Sequence, residues 1–119
     1  MNSVIFAKKY WTTQLSFAQD LAKYKKEIFI QGTDTLNYRI LYPENFDPAK
    51  KYPVVLFLHG RGESGNDNEK QLTHGGKMFL TNSFRKEYPA IVIFPQCKQD
   101  SYWSNVDIEE VSGKRFFTF

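Results

Sequence analysis

A chain of 119 residues with 41% apolar and 17% aromatic side chains has the material for one hydrophobic core, which excludes a disordered polymer. The net charge of +3 is mild, and the lysines gather at Lys8/Lys9 and Lys23/Lys25/Lys26 with no basic stripe carrying interleaved aromatics, so no nucleic-acid partner is expected. The single cysteine, Cys97, closes no internal disulfide, and no apolar run approaches the ~20 residues that a membrane span needs.

Residues 1–24 read as a lead-in segment. Leu15, Ala18, Leu21 and Ala22 put a weak apolar face on a helix over residues 13–23. Ser16-Phe17-Ala18-Gln19 resembles the end of a secretory signal, but Thr12, Thr13 and Gln14 interrupt the apolar middle that such a signal requires. A degraded signal peptide and an ordinary polar helix both stay open, and with them a secreted or periplasmic location.

From residue 25 to residue 119 the chain reads as one α/β domain. Residues 27–30 and 36–42 form two strands around a turn at 31–34, with Leu36, Tyr38, Ile40 and Tyr42 on one face of an antiparallel hairpin. Residues 43–53 contain Pro43, Pro48 and Pro53, which remove ladder donors, so this stretch is a surface crossover. Residues 54–58 are an unbroken apolar run, as expected of a strand covered on both faces. Leu72 to Tyr88, with Met78, Phe79, Leu80 and Phe84, predicts a helix past Gly75-Gly76 that Pro89 ends. Residues 90–95 form a second buried strand, parallel to the first, which completes a β-α-β unit. Residues 96–113 are polar, with Trp103 as the large apolar anchor, and the chain turns aromatic again from residue 114.

The chemistry centres on His59-Gly60-Arg61-Gly62-Glu63-Ser64-Gly65, directly after the apolar strand. Glycines in such a loop permit positive φ and leave amides free to approach a ligand. Gly60 to Gly65 spells G-x-G-x-x-G, the dinucleotide fingerprint, but Asn66-Asp67-Asn68-Glu69-Lys70 is too polar to open a packed helix. The next strand also ends Phe94-Pro95-Gln96 without the acidic residue that would hold a ribose. An oxyanion-hole loop fits better, since a backbone N–H fixed at the end of a buried strand can meet the charge that acyl transfer builds on a carbonyl oxygen.

Other readings are weaker. Gly62-Glu63-Ser64-Gly65-Asn66 fails G-x-S-x-G at its last position, so Ser64 reads as a turn serine rather than a nucleophile. His59 reads as a loop brace, and His74 as a turn residue beside Gly75-Gly76. His59, Glu63, Asp67, Glu69 and His74 match no metal-ligand spacing, so no metal is expected. Cys97 reads as a half-buried thiol, or as half of a disulfide with a partner elsewhere. Trp103 reads as a packing anchor, with a substrate-site wall as the alternative.

In wording and order, the stretch Leu58-His59-Gly60-Arg61-Gly62-Glu63-Ser64-Gly65-Asn66-Asp67-Asn68, then Gln71 to Gly76, then Phe94-Pro95-Gln96-Cys97 and Trp103, resembles the front of the α/β-hydrolase carboxylesterases. The bacterial phospholipase/carboxylesterase and predicted-peptidase group, related to polyhydroxybutyrate depolymerases and feruloyl esterases, is the part of the family it resembles. The resemblance implies the first four strands of the sheet and an oxyanion donor at the Arg61 N–H, with His59, Gly60 and Gly62 supporting the loop. It implies a small-molecule ester as substrate and no cofactor. The family's serine, acid and histidine come later in its order, so the expectation is an N-terminal part that holds no nucleophile, acid or base and is inactive by itself. In this fold the third strand lies between the fourth and the fifth, so residues 54–58 are expected to be an open edge that favours self-association. The competing expectation is a non-catalytic α/β module that binds a small anionic ligand or a partner at the loop amides.

Overall fold

The computed structural model describes residues 20–118; Leu15, Ala18 and the signal-like residues 16–19 lie outside the described part. Six strands order the described residues: β1 (Lys25–Gln31), β2 (Asp34–Leu41), β3 (Val54–Leu56), β4 (Ile91–Pro95), β5 (Asp107–Val111) and β6 (Lys114–Thr118). β1 to β4 form one mixed sheet in the order β1-β2-β4-β3, and β5 and β6 form a separate two-stranded sheet.

The hairpin is as expected, with Gln31 opposite Asp34 across a two-residue turn. Gly32 takes φ +60°, a conformation that strains any residue with a Cβ, at the first position of that turn. β2 then pairs antiparallel with β4, placing Tyr38 opposite Pro95 and Leu41 opposite Val92. β3 runs parallel to β4, with Val54 opposite Ile91 and Leu56 opposite Ile93. Its ladder extends past both ends, through Ile91 N–H to the Pro53 carbonyl (3.0 Å) and Phe57 N–H to the Ile93 carbonyl (2.9 Å).

The crossover between β2 and β3 makes local bonds instead of a ladder. The Asp47 carboxylate accepts from the Ala49 amide, and the Asp47 amide donates to the Tyr52 hydroxyl. Tyr42, Phe46 and Tyr52 stack in a row beside it, with centroids 4.6 and 5.4 Å apart.

Two sequence expectations need correction. The helix expected past Gly75-Gly76 is not continuous. A 3-10 turn at Met78–Leu80, which follows an earlier one at Lys70–Leu72, precedes a six-residue helix α1 (Asn82–Glu87). The two glycines before it are tightly packed. A Cβ on Gly75 would stand 2.6 Å from the Phe57 ring, and one on Gly76 would stand 2.7 Å from the Leu72 carbonyl, so the backbone here is pressed flat against its neighbours. The helix restarts where Thr81 Oγ1 accepts from the Phe84 amide as an N-cap.

The core sits on one face of the sheet. Leu41, Val92 and Phe94 form the core with Tyr24, Leu72 and Phe79, and Val55 and Phe57 pack on it. Leu36, Tyr38 and Ile40 occupy the opposite face, since side chains alternate along a strand. The aromatic rings pack densely: Phe57 stacks on Phe94 at 4.7 Å, while Tyr24 and Phe79 meet Phe94 edge-on at 5.4 and 5.7 Å. Such pairs add about 0.5–1.5 kcal/mol each beyond their burial.

Second, residues 54–58 are not covered on both faces. β3 is the edge of the sheet among the described residues, and Val54 (61%) and Leu56 (59%) remain largely exposed. The regular strand also stops at Leu56, leaving Phe57 and Leu58 to lead into the loop. The polar stretch expected over residues 96–113 ends in β5, and the aromatic residues after it form β6. Ser112 (φ 54°) and Gly113 (φ 75°) make the left-handed two-residue turn that joins them.

Candidate functional site

The loop that follows β3 leaves the sheet at the same end as the close of β4, because the two strands are parallel. Arg61–Glu63 forms a single 3-10 turn, closed by Glu63 N–H to the Gly60 carbonyl (3.2 Å) and Ser64 N–H to the Arg61 carbonyl (3.3 Å). The amides of Gly60, Arg61 and Gly62 donate to no group among the described residues. Three consecutive free N–H groups therefore open this turn.

The glycines achieve this by size rather than by handedness. None of Gly60, Gly62 and Gly65 has a positive φ, contrary to the expectation for such a loop. A Cβ on Gly60 would stand 3.2 Å from Glu63 Oε2, and one on Gly65 would stand 3.4 Å from Gln96 Nε2; Gly62 has open space around it.

His59 is buried and both its ring nitrogens are engaged. The Cys97 amide donates to Nε2 at 3.0 Å, so Nε2 carries a lone pair and the proton sits on Nδ1. That Nδ1–H points at the Gly60 carbonyl, 2.6 Å away, and lies 4.0 Å from Glu63 Oε2. A histidine so committed braces the loop and has no nitrogen left to accept a proton from a nucleophile.

Ser64 is buried and lines a cavity of about 80 Å³ with His59, Cys97, Ser101 and Trp103. Cys97 is buried rather than half-buried, and its backbone does the work: besides its bond to His59, its carbonyl accepts from the Gly65 amide at 2.9 Å. Trp103 donates its indole N–H to the His59 carbonyl (3.0 Å) and meets the His59 ring edge-on at 5.0 Å. It is thus an anchor with a polar end. The Arg61 guanidinium donates to the Ser101 carbonyl (2.9 Å) and lies over the Tyr102 ring at 4.7 Å.

The five acidic and imidazole side chains weighed for a metal divide among different partners. Glu63 meets His74 Nε2 at 2.8 Å, Asp67 accepts from Gln96, and Glu69 pairs with Lys26 and Arg39. Among the described residues no group of three such side chains is arranged to hold a metal ion.

Sequence reasoning missed the residue that ties this loop to the sheet. Gln96 is 1% exposed and follows directly on β4. Its Oε1 accepts from the Asn68 amide (2.7 Å), and its Nε2 donates to the Glu63 carbonyl (3.2 Å) and to Asp67 Oδ1 (2.7 Å). Its own amide donates to the Asn37 carbonyl of β2 at 2.8 Å. Asn68, at φ 54°, is the second such residue: its side chain donates to the Glu27 carbonyl and accepts from Gln71, and its carbonyl accepts from Arg39. Burial would by itself raise the Asp67 carboxyl. The bond from Gln96, the amides of Glu69 and Lys70 and the Lys70 charge outweigh it and hold Asp67 below the ordinary carboxylate range. A glutamine after a strand carries no periodic signal; the clue was its position, directly after Phe94-Pro95.

The chain matches no protein-family model. It is similar to a solved thermostable esterase, with 31% identity and a TM-score of 0.65 over 72% of this chain and 24% of that one. It is also similar to dipeptidyl-peptidase 5 of Aspergillus fumigatus, 49% identical over 41 residues, which are 34% of this chain and 6% of the relative. A probable dipeptidyl-peptidase 5 of Aspergillus niger is 33% identical over 60 residues, half of this chain and 8% of that protein. The chain therefore spans about a quarter of the length of the esterase and less than a tenth of these peptidases.

Proposed function

From the premise that the chain carries an esterase-like α/β-hydrolase fold, we propose that it contributes one half of an oxyanion hole to a serine-dependent acyl hydrolase, with the Arg61 N–H as its donor. The observation that carries this reading is the run of unpartnered amides at Gly60, Arg61 and Gly62, set on a braced turn at the end of β3. A fixed amide at that position contributes roughly 3–4 kcal/mol to a tetrahedral transition state, because it requires no reorganisation when charge develops on the carbonyl oxygen. His59, Gly60 and Gly62 support the donor. His59 braces the Gly60 carbonyl, Gly60 keeps clear of Glu63, and Gly62 leaves the approach open.

The sequence holds no G-x-S-x-G, and both ring nitrogens of His59 are engaged, which supports the reading that nucleophile, acid and base come from elsewhere in the enzyme. In the reaction a serine from elsewhere in the enzyme attacks a carboxylic ester and forms an acyl-enzyme. The Arg61 amide and the amide after that serine receive the oxyanion, and a histidine serves as base and then acid. No cofactor enters this chemistry. The peptidase-named relatives favour a second substrate class for the same donor, a peptide carbonyl, which develops the same oxyanion.

The test is direct. The purified 119-residue protein should neither hydrolyse a p-nitrophenyl ester nor be labelled by a fluorophosphonate; labelling at Ser64 would overturn the assignment. Coding DNA downstream of residue 119 should encode G-x-S-x-G. A stop codon with no such motif would instead favour a non-catalytic module that binds an anion at the loop amides.

A further inference from the structure

The direction of a backbone N–H is set by whatever holds the carbonyl of the same peptide unit, because the two point opposite ways across a trans peptide. The free amides of Gly60 and Arg61 therefore depend on what grips the carbonyls of His59 and Gly60. The Gly60 carbonyl is held within the loop, by the His59 ring and the Glu63 amide. The His59 carbonyl is held from outside. Its partner is the Trp103 indole, 44 residues further along the chain.

We infer that Trp103 is a positioning residue for the loop amides: its indole N–H clamps the His59 carbonyl and so aims the Gly60 N–H away from the protein. Five further contacts tie the turn around residues 97–103 to the loop. The Arg61 guanidinium bridges to the Ser101 carbonyl and lies over the Tyr102 ring, which tethers the loop from its far side. The Cys97 amide fixes the tautomer of His59, and the Cys97 carbonyl takes the Gly65 amide. Trp103 also meets the His59 ring edge-on, so the ring that orients the next peptide is braced by the same side chain. A residue acting only as packing would supply the ring contact without the N–H. Phenylalanine separates the two, since it keeps an aromatic ring and removes the donor. This role rests on the oxyanion reading for its purpose, though not for its geometry.

The test uses the ¹⁵N-labelled 119-residue protein and Trp103→Phe. Far-UV circular dichroism follows folding, ¹⁵N relaxation follows the Gly60, Arg61 and Gly62 amides, and titration with methylphosphonate, a tetrahedral anion, follows their shifts. The expected result is a folded variant in which the order parameter falls from about 0.85 towards 0.6 at Gly60, with smaller falls at Arg61 and Gly62, unchanged values in β2 and β4 and an anion response at least five-fold weaker. Unchanged order parameters at residues 60–62 would overturn the clamp. If the variant does not fold, deuterium exchange of the Trp103 indole N–H in the parent decides: exchange at least ten-fold slower than from free indole supports the bond, and exchange at the free rate overturns it. If the parent shows no anion response while Trp103→Phe still loosens the loop, the clamp stands and the oxyanion reading alone fails.

Discussion

Replacing Gln96 by alanine should cost this fold more than any other change of a single polar side chain near the loop. The glutamine is buried and serves three partners, but they are not equivalent. Asp67 is exposed, so water makes up most of its lost donor and that bond contributes the least of the three at neutral pH. The Asn68 amide and the Glu63 carbonyl belong to buried residues, and each buried polar group left without a partner costs about 1–3 kcal/mol. The expected loss is about 3–4 kcal/mol, a substantial share of the roughly 5–15 kcal/mol that domains possess. In thermal terms that is a fall of about 12–30 °C. Urea unfolding followed by far-UV circular dichroism and tryptophan fluorescence measures it. The pH dependence gives a second handle. Asp67 titrates below its ordinary value, so its contribution is present above that value and is lost as pH falls through the depressed one. Gln96 is the foremost of the groups that depress it. The parent should therefore lose more stability than Gln96→Ala as the pH is taken from about 5 to about 3. A loss under about 1 kcal/mol at neutral pH, or identical acid slopes in the two proteins, would refute the idea that Gln96 holds the loop to the sheet.

Gly75→Ala should destabilise by about 1–3 kcal/mol in the same unfolding assay, because the added methyl meets a Phe57 ring already stacked on Phe94. Gly62→Ala should stay within about 0.5 kcal/mol, since nothing stands near its Cβ. Tyr24→Phe removes a buried donor from the Gly76 carbonyl (2.8 Å) and should cost about 1–2 kcal/mol. Leu56→Lys, on the exposed side of β3, should reduce self-association of the protein in analytical ultracentrifugation by at least ten-fold, as a charge on an open edge opposes pairing; equal monomer fractions for the two proteins would count against it.

Much of the sheet was legible because period-2 patterns and turn residues are local signals. Gln31-Gly32-Thr33-Asp34 announced the hairpin, and the prolines at 43, 48 and 53 announced the crossover. Which face of β2 meets the core is not legible in the pattern, since Leu36, Tyr38 and Ile40 form the more apolar set, while the core residue Leu41 shares its face with Arg39, which a sequence reader places in solvent. In the structure Arg39 is buried, with its guanidinium spent on the Asn68 and Leu21 carbonyls. The helix expected past Gly75-Gly76 is shorter than its apolar spacing suggests, since Met78–Leu80 makes a 3-10 turn and only Asn82–Glu87 is α-helical. The hairpin β5–β6 was legible in principle from Ser112-Gly113 between Val111 and Phe116. At the site, His59, Gly60, Arg61 and Gly62 stood out as a motif. Gln96, Asn68 and the polar end of Trp103 did not, because their roles depend on bonds that span 28 to 44 residues.

Those spans also bear on when the site comes into being. The loop's own hydrogen bonds close only a 3-10 turn, whereas its ties to the rest of the chain run to Glu27, Asn37, Gln96 and Trp103. Each such tie requires a long stretch of chain to be closed before it returns any energy, so distant pairings form slowly. The β1–β2 hairpin can form early, β4 must then dock between it and β3, and only a docked β4 delivers Gln96 and Cys97 to the loop. The free amides should accordingly become ordered only after β4 has docked. In native-state hydrogen exchange the loop should open at a lower free energy than β2 and β4 beneath it.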